Sequence, residues 1–226
     1  MSNLEELLTS EFNMLQGKMY KCKTIHTRYR MRKEHIDFLL KQSILSIYAE
    51  WEGFVKKVIS LYLQEINKER LTYNCLHENY ISYQTDQLVK FKSPKINFGA
   101  VKKITKNLYS MYQGEVVFST NVNTESNANL KIVNSILEKL LLGCIGSRNE
   151  KGLNKLLRFR NSIAHGDEGI PVNQNDVDYF TLLIQDLASD LLVCIVDGFE
   201  KKVYLSHNIA SSGQPKAALR SAFSCR

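Results

Sequence analysis

The segment LLRFRNSIAHGDEG, residues 156 to 169, concentrates side chains that can hold a phosphate and move a proton. Its apolar residues (Leu153, Leu156, Leu157, Ile163 and Ala164) predict a helix over residues 152 to 165, stopped by Gly166 and, further on, Pro171. Arg158, Arg160, Asn161 and His165 then crowd the last two turns. Asn161 and His165 are four apart, hence on one face, and Arg160 lies one position round from Asn161. A guanidinium, an amide and an imidazole converge beside one surface. That set suits cleavage of RNA by its own 2′-hydroxyl. The histidine moves the proton, the arginine fork holds the phosphate and stabilises charge growing on it, and the amide orients phosphate or ribose. Such chemistry requires no metal.

Spacing alone is weak support, because an arginine also precedes a histidine by five positions at Arg30 and His35. Only the copy at Arg160 and His165 has Asn directly after Arg and a Gly helix stop after His. The plain alternative is a capped helix end with a structural arginine. Other enzyme classes leave no trace: GxxxxGK[ST], GxGxxG and GxSxG patterns are absent. The five cysteines, at 22, 75, 144, 194 and 225, stand singly, without zinc spacing, and read as buried reduced thiols.

The net charge of +7 is unevenly spread. Residues 18–33, 90–106 and 201–226 carry Lys and Arg with no acid, whereas the first 17 residues carry acids and no base. Clustered positive charge suits a polyanion, because neutralising phosphates releases counterions. Solvated helix faces and a basic tail explain the same charge. The expected RNA-binding residues are Arg28, Arg30 and Arg32 in the first cluster, and Lys90, Phe91, Lys92, Lys95 and Phe98 in the second, where aromatic rings interleave with lysines.

The elements that must position these residues are helical. Residues 3 to 25 form a first helix. Residues 34 to 70 hold the strongest periodic stripe, from Ile36 through Trp51 to Ile66, without a proline. Such a stripe needs a long bundle partner. Residues 72 to 98 read as irregular, and a helix follows from about Asn97 to Met111. Residues 114 to 118 look β-like, and 121 to 129 turn-rich. Further helices are expected from about Asn129 to Leu142, with an asparagine cap, and from about Asn175 to Tyr204. Residues 143 to 151 read as a loop. The expected architecture is all-α: a helical bundle over residues 1 to 204 with long antiparallel helices, an irregular insertion at about 72–128, and a loose basic tail at 205–226. No apolar run approaches ~20 residues and the N-terminus has no secretory pattern, so a cytoplasmic protein without a membrane partner is expected.

RNSIAHG resembles the signature of the HEPN superfamily (higher eukaryotes and prokaryotes nucleotide-binding): Arg, a polar residue, and His after four to six positions. YAEWEGFVKK (48 to 57) and TESNANLKIVNSIL (124 to 137) resemble the branch related to RiboL-PSP-type HEPN endoribonucleases. The three blocks stand in that branch's order, and the resemblance covers roughly residues 30 to 200. It implies a HEPN-like bundle that dimerises so that two motifs face one cleft. It also implies a metal-independent endoribonuclease, without cofactor, acting as a toxin or antiviral-defence effector, with an antitoxin or defence-system protein as partner. By position, Arg160 holds the phosphate, Asn161 orients it and His165 transfers the proton. Glu52, Arg158 and Asp167 are expected around that set, Glu52 positioning Arg160. Asp167 stands where some HEPN toxins carry a modifiable tyrosine, which argues against control by that route. The alternative implied function is a non-catalytic module binding RNA, a nucleotide or a protein.

Overall fold

The longest element is α2, Lys33–Lys68, about 54 Å of unbroken helix in this computed structural model. The structure describes residues 3–88, 98–124, 127–166 and 170–206. Along α2, Ile44, Ile47, Trp51, Val55, Val58, Tyr62 and Ile66 are buried, and further rows including Tyr48, Ile59 and Leu63 are buried beside them. A stripe this wide faces several neighbours rather than one, which is why α2 lies at the centre of the bundle, against α1 (Asn3–Thr24), α6 (Glu150–Ala164) and α7 (Gln174–Glu200).

Polar contacts fix the helix directions. Asn3 reaches Glu65, Lys57 pairs with Glu11 at 3.9 Å, and Lys18 pairs with Glu50 at 2.7 Å, so α1 runs antiparallel to α2. Lys23, at the end of α1 beside the start of α2, pairs with Asp178 at 3.4 Å, and Tyr62 meets the edge of Phe199 at 6.1 Å, so α7 runs parallel to α2. Arg148 bonds Asp190 at 3.0 Å and Lys155 bonds Asp176 at 3.1 Å, so α6 runs antiparallel to α7. A capping box starts α7: Asp176 N–H donates to Asn173 Oδ1 at 3.1 Å, and Asn173 N–H donates to Asp176 Oδ2. By length and mean hydropathy α7 could cross a membrane. Its Val177, Phe180, Ile184, Leu187, Leu191 and Ile195 are instead buried in the bundle.

The fold is all-α, and several local expectations change. Residues 78–88, expected to be irregular, form helix α3 (Glu78–Leu88), whose Tyr80 and Tyr83 are buried. Tyrosine serves there as a core residue: Tyr80 Oη donates to Leu140 O at 2.5 Å and lies 2.6 Å from Tyr62 Oη, and burial raises the pKa of both phenols. Residues 114–118 pair through one isolated bridge, Thr72 with Glu115, and no ladder forms among the described residues. Asn67 takes the place of a partner strand, giving Nδ2–H to Phe118 O and accepting Phe118 N–H. The described residues of the strap that follows lie back along α2, Thr124 at Glu52 and Ala128 at Trp51, ahead of α5 (Leu130–Lys139), whose cap is Asn129 Oδ1 receiving Ile132 N–H at 2.9 Å.

The last helix ends at Glu200, before Tyr204, because Lys202 turns the chain at φ +51° and sends Tyr204 into the core. Tyr204 Oη donates to Glu69 at 3.0 Å, and Ser206 N–H donates to Cys75 O at 3.0 Å. Leu205 and Ser206 therefore belong to the packed body rather than to a tail, and residues 207–226 lie outside the described residues. Of the four described cysteines Cys75 is buried, but Cys144 is exposed, contrary to the reading of all thiols as buried.

Candidate functional site

Helix α6 begins two residues earlier than expected and presses Leu153, Leu156, Leu157 and Phe159 into the core. Gly152 permits the close approach to α7. A Cβ there would lie 2.5 Å from Tyr179 Oη and 3.0 Å from Leu183. With one face buried, the opposite side of the last turns is left open. Asn161, Ala164, His165 and Gly166 are exposed. The helix closes with His165 N–H donating to Asn161 O at 3.0 Å and Gly166 N–H donating to Ile163 O at 3.1 Å. Gly166 has φ +77°, a conformation that favours glycine, which accounts for the stop after the histidine.

Arg160 and Asn161 are coupled directly: Arg160 Nη1 donates to Asn161 Oδ1 at 2.8 Å. That bond engages the amide oxygen and leaves Asn161 Nδ2 as a donor toward solvent. The Arg160 guanidinium also lies over the ring of Tyr48, with Cζ 4.8 Å from the centroid. Tyr48 is only 2% exposed. Its hydroxyl receives Ala128 N–H at 3.0 Å and bonds Glu52. Glu52 in turn accepts from Lys56 Nζ at 2.6 Å and from Thr124 Oγ1 at 2.9 Å.

These contacts fix the charge states of the supporting groups. Burial pushes the Glu52 carboxyl up, but bonds from Lys56, Thr124 and Tyr48, with the Lys56 charge, outweigh it and hold Glu52 below its ordinary value. Burial raises the Tyr48 phenol and the Glu52 charge adds to that, while the Ala128 N–H and the Arg160 charge oppose. Tyr48 is therefore a neutral ring beneath a cation.

Glu52, expected to position Arg160 itself, is occupied by Lys56, Thr124 and Tyr48, and its link to Arg160 runs through the tyrosine. Trp51 is fully buried, with Nε1–H donating to Ala128 O at 2.8 Å, so it is a core residue and not a base-stacking platform. Arg158 is exposed on the same helix. The reading of Asp167, Lys90, Phe91, Lys92 and Lys95 falls outside the described residues.

Of the two basic clusters, the first is described in full and the second only from Phe98 onward. Arg28, Arg30 and Arg32 are exposed in the loop between α1 and α2. His26 in that loop bonds Gln174 at the start of α7, which places the arginines at the end of the bundle where α6 hands over to α7. Phe98 is 83% exposed on α4 (Phe98–Tyr112), whose Tyr112 packs on Tyr73 at the other end of α2. No three His, Cys, Asp or Glu side chains gather as a metal site among the described residues.

Sequence reasoning missed Tyr48, Lys56 and Thr124 as parts of the site. Tyr48, Glu52 and Lys56 recur every four residues, so they share a face of α2. Tyr48 was indistinguishable from the core stripe around it. Residues from all three blocks that carried the family resemblance meet here: Tyr48, Glu52 and Lys56, then Thr124 and Ala128, and Arg160 with Asn161.

A model of the family described as RiboL-PSP-HEPN matches residues 10–197. No curated protein and no solved structure matches the chain.

Proposed function

Because the chain belongs to the RiboL-PSP-HEPN family, a HEPN superfamily group, we propose that it is an endoribonuclease that cleaves RNA by attack of the adjacent 2′-hydroxyl. The observation that carries this reading is the Arg160–Asn161 pair, joined at 2.8 Å beside an exposed histidine on the open end of α6. In the proposed reaction the free edge of the Arg160 fork and Asn161 Nδ2 hold the non-bridging oxygens of the scissile phosphate. The 2′-oxygen forms a bond to phosphorus as its proton passes to His165, and the bond to the 5′-oxygen breaks. The products are a 2′,3′-cyclic phosphate and a 5′-hydroxyl. No metal or cofactor is needed for that balance.

The leaving 5′-oxygen needs a proton that the attacking-side base cannot supply in the same step. A two-fold dimer solves this, since the second copy brings its own His165 to the cleft as the acid. The open face of α6 supports such a composite site, because one chain encloses the phosphate on one side only. The exposed arginines of the α1–α2 loop, at the same end of the bundle, suit an RNA strand entering that cleft. The proposed toxin or antiviral-defence role, with an antitoxin or defence-system protein as partner, rests on the family membership alone.

Purified wild type and His165→Ala are compared on structured and unstructured RNA in excess chelator. Cleavage by wild type alone is expected. Binding of RNA by both proteins with cleavage by neither would replace the enzyme with a binding module.

A further inference from the structure

Arg160 is the residue whose geometry matters most to the proposed reaction, yet it stands on α6 with an exposed amide as its one hydrogen-bonded partner among the described residues. An arginine side chain has several rotatable bonds, and a single bond to a surface asparagine leaves most of them free. What fixes the guanidinium plane lies beneath it. Resting on the nuclease reading above, we propose that Tyr48 is a positioning residue whose ring serves as the platform that orients Arg160 for phosphate. Glu52, Thr124 and Ala128 hold that platform still.

Three observations support this assignment. The guanidinium carbon sits 4.8 Å from the ring centroid, the distance of a stacked cation. The ring cannot retreat, because it is 2% exposed and its hydroxyl is tied to the Ala128 backbone and to Glu52. The ties come from a different part of the chain: the strap residue Thr124 is fully buried and bonds Glu52 at 2.9 Å, while Trp51 Nε1–H pins the same strap at Ala128 O. A platform needs a flat apolar face that burial keeps in place, and the hydroxyl ties add to the stability of the fold around it.

The functional content lies in the ring and not in the hydroxyl, and this separates the proposal from a purely structural role. Tyr48→Phe keeps the face but strands the Ala128 N–H, so it lowers the melting temperature. Its kcat stays within about twofold of wild type below that temperature. Tyr48→Leu removes the face, and kcat falls roughly 3- to 30-fold, the range of a partly desolvated cation–π contact. KM moves less than about threefold, because orientation acts chiefly in the transition state.

The second readout needs no RNA. The Arg160 side-chain Nε–H resonance, assigned by its loss in Arg160→Lys, is displaced by the ring current in wild type and in Tyr48→Phe, and returns to the free-arginine position in Tyr48→Leu. Activities of the two variants that simply follow their melting temperatures would overturn the proposal. So would an undisplaced wild-type resonance, which can be read even if Tyr48→Leu fails to fold. If wild type cleaves no RNA, the nuclease reading fails, and the resonance alone decides whether Tyr48 orients Arg160.

Discussion

Replacing Thr124 by valine tests whether the strap and α2 act as one unit around Glu52. Valine matches threonine in shape, so the change deletes one hydroxyl. Thr124 is fully buried and its Oγ1–H donates to Glu52 Oε1 at 2.9 Å, while the Glu52 side chain is 15% exposed. A hydrogen bond to a charged acceptor in such a site contributes about 1.5–3 kcal/mol. For a chain of this size that corresponds to a fall of roughly 3–12 °C in melting temperature. The sign with pH follows from Glu52, whose pKa lies below its ordinary 4.5 in the fold. Stability from such a group is present above the unfolded pKa and is lost as pH falls through the folded one. The penalty of Thr124→Val is therefore full at pH 7 and shrinks below pH 4.5. Thermal melts followed by circular dichroism on wild type, Thr124→Val, Glu52→Gln and the double variant give the coupling, expected at about 1 kcal/mol or more. Additivity within ~0.3 kcal/mol, or a Thr124→Val shift below about 1 °C, would refute the reasoning.

Three further outcomes follow from other parts of the fold. His26 is buried and its pKa is lowered from 6.5, by burial first and against the Asp178 charge. The unfolded chain then takes up the proton first as pH falls, so wild type loses stability below pH 6.5, and His26→Asn shows a flatter profile between pH 7 and 5. Truncation after Ser206 leaves the melting temperature within ~2 °C, whereas truncation before Val203 removes the buried Tyr204 and costs on the order of 3–5 kcal/mol, read by urea denaturation. Neutralising Arg28, Arg30 and Arg32 together flattens the logarithmic salt dependence of RNA binding by ~0.7–0.9 for each phosphate these side chains neutralise; an unchanged slope would show the arginines to be merely solvated.

The helical frame was legible because α1, α2 and α7 bury residues at helical spacing over many turns, and periodic burial is written directly in sequence. α3 was hidden by its tyrosines, which look polar but pack through their rings once their hydroxyls find partners such as Leu140 O. The β-like reading of 114–118 holds only as one bridge to Thr72, because pairing depends on a distant partner, and beyond that bridge the partner of Phe118 is the Asn67 side chain. The candidate set Arg160, Asn161 and His165 could be named because its residue types lie along one helix and match the family resemblance. Tyr48 and Thr124 could not, because their part in the site comes from contacts between blocks far apart in the chain. Spacing within one helix predicts neighbours on that helix and says nothing of what lies beneath it.

The chemistry of the RNA ends is the most direct test of the nuclease account. Wild-type protein is incubated in excess chelator with an RNA carrying one cleavable site, and with the same RNA bearing a single 2′-deoxy substitution there. The account predicts a 2′,3′-cyclic phosphate and a 5′-hydroxyl from the first substrate and no cleavage at the substituted site. Both products should disappear in His165→Ala, and Arg160→Lys should fall by roughly 10²–10³, since lysine keeps the charge but not the planar fork. Products ending in a 5′-phosphate, or cutting at the 2′-deoxy position, would contradict it.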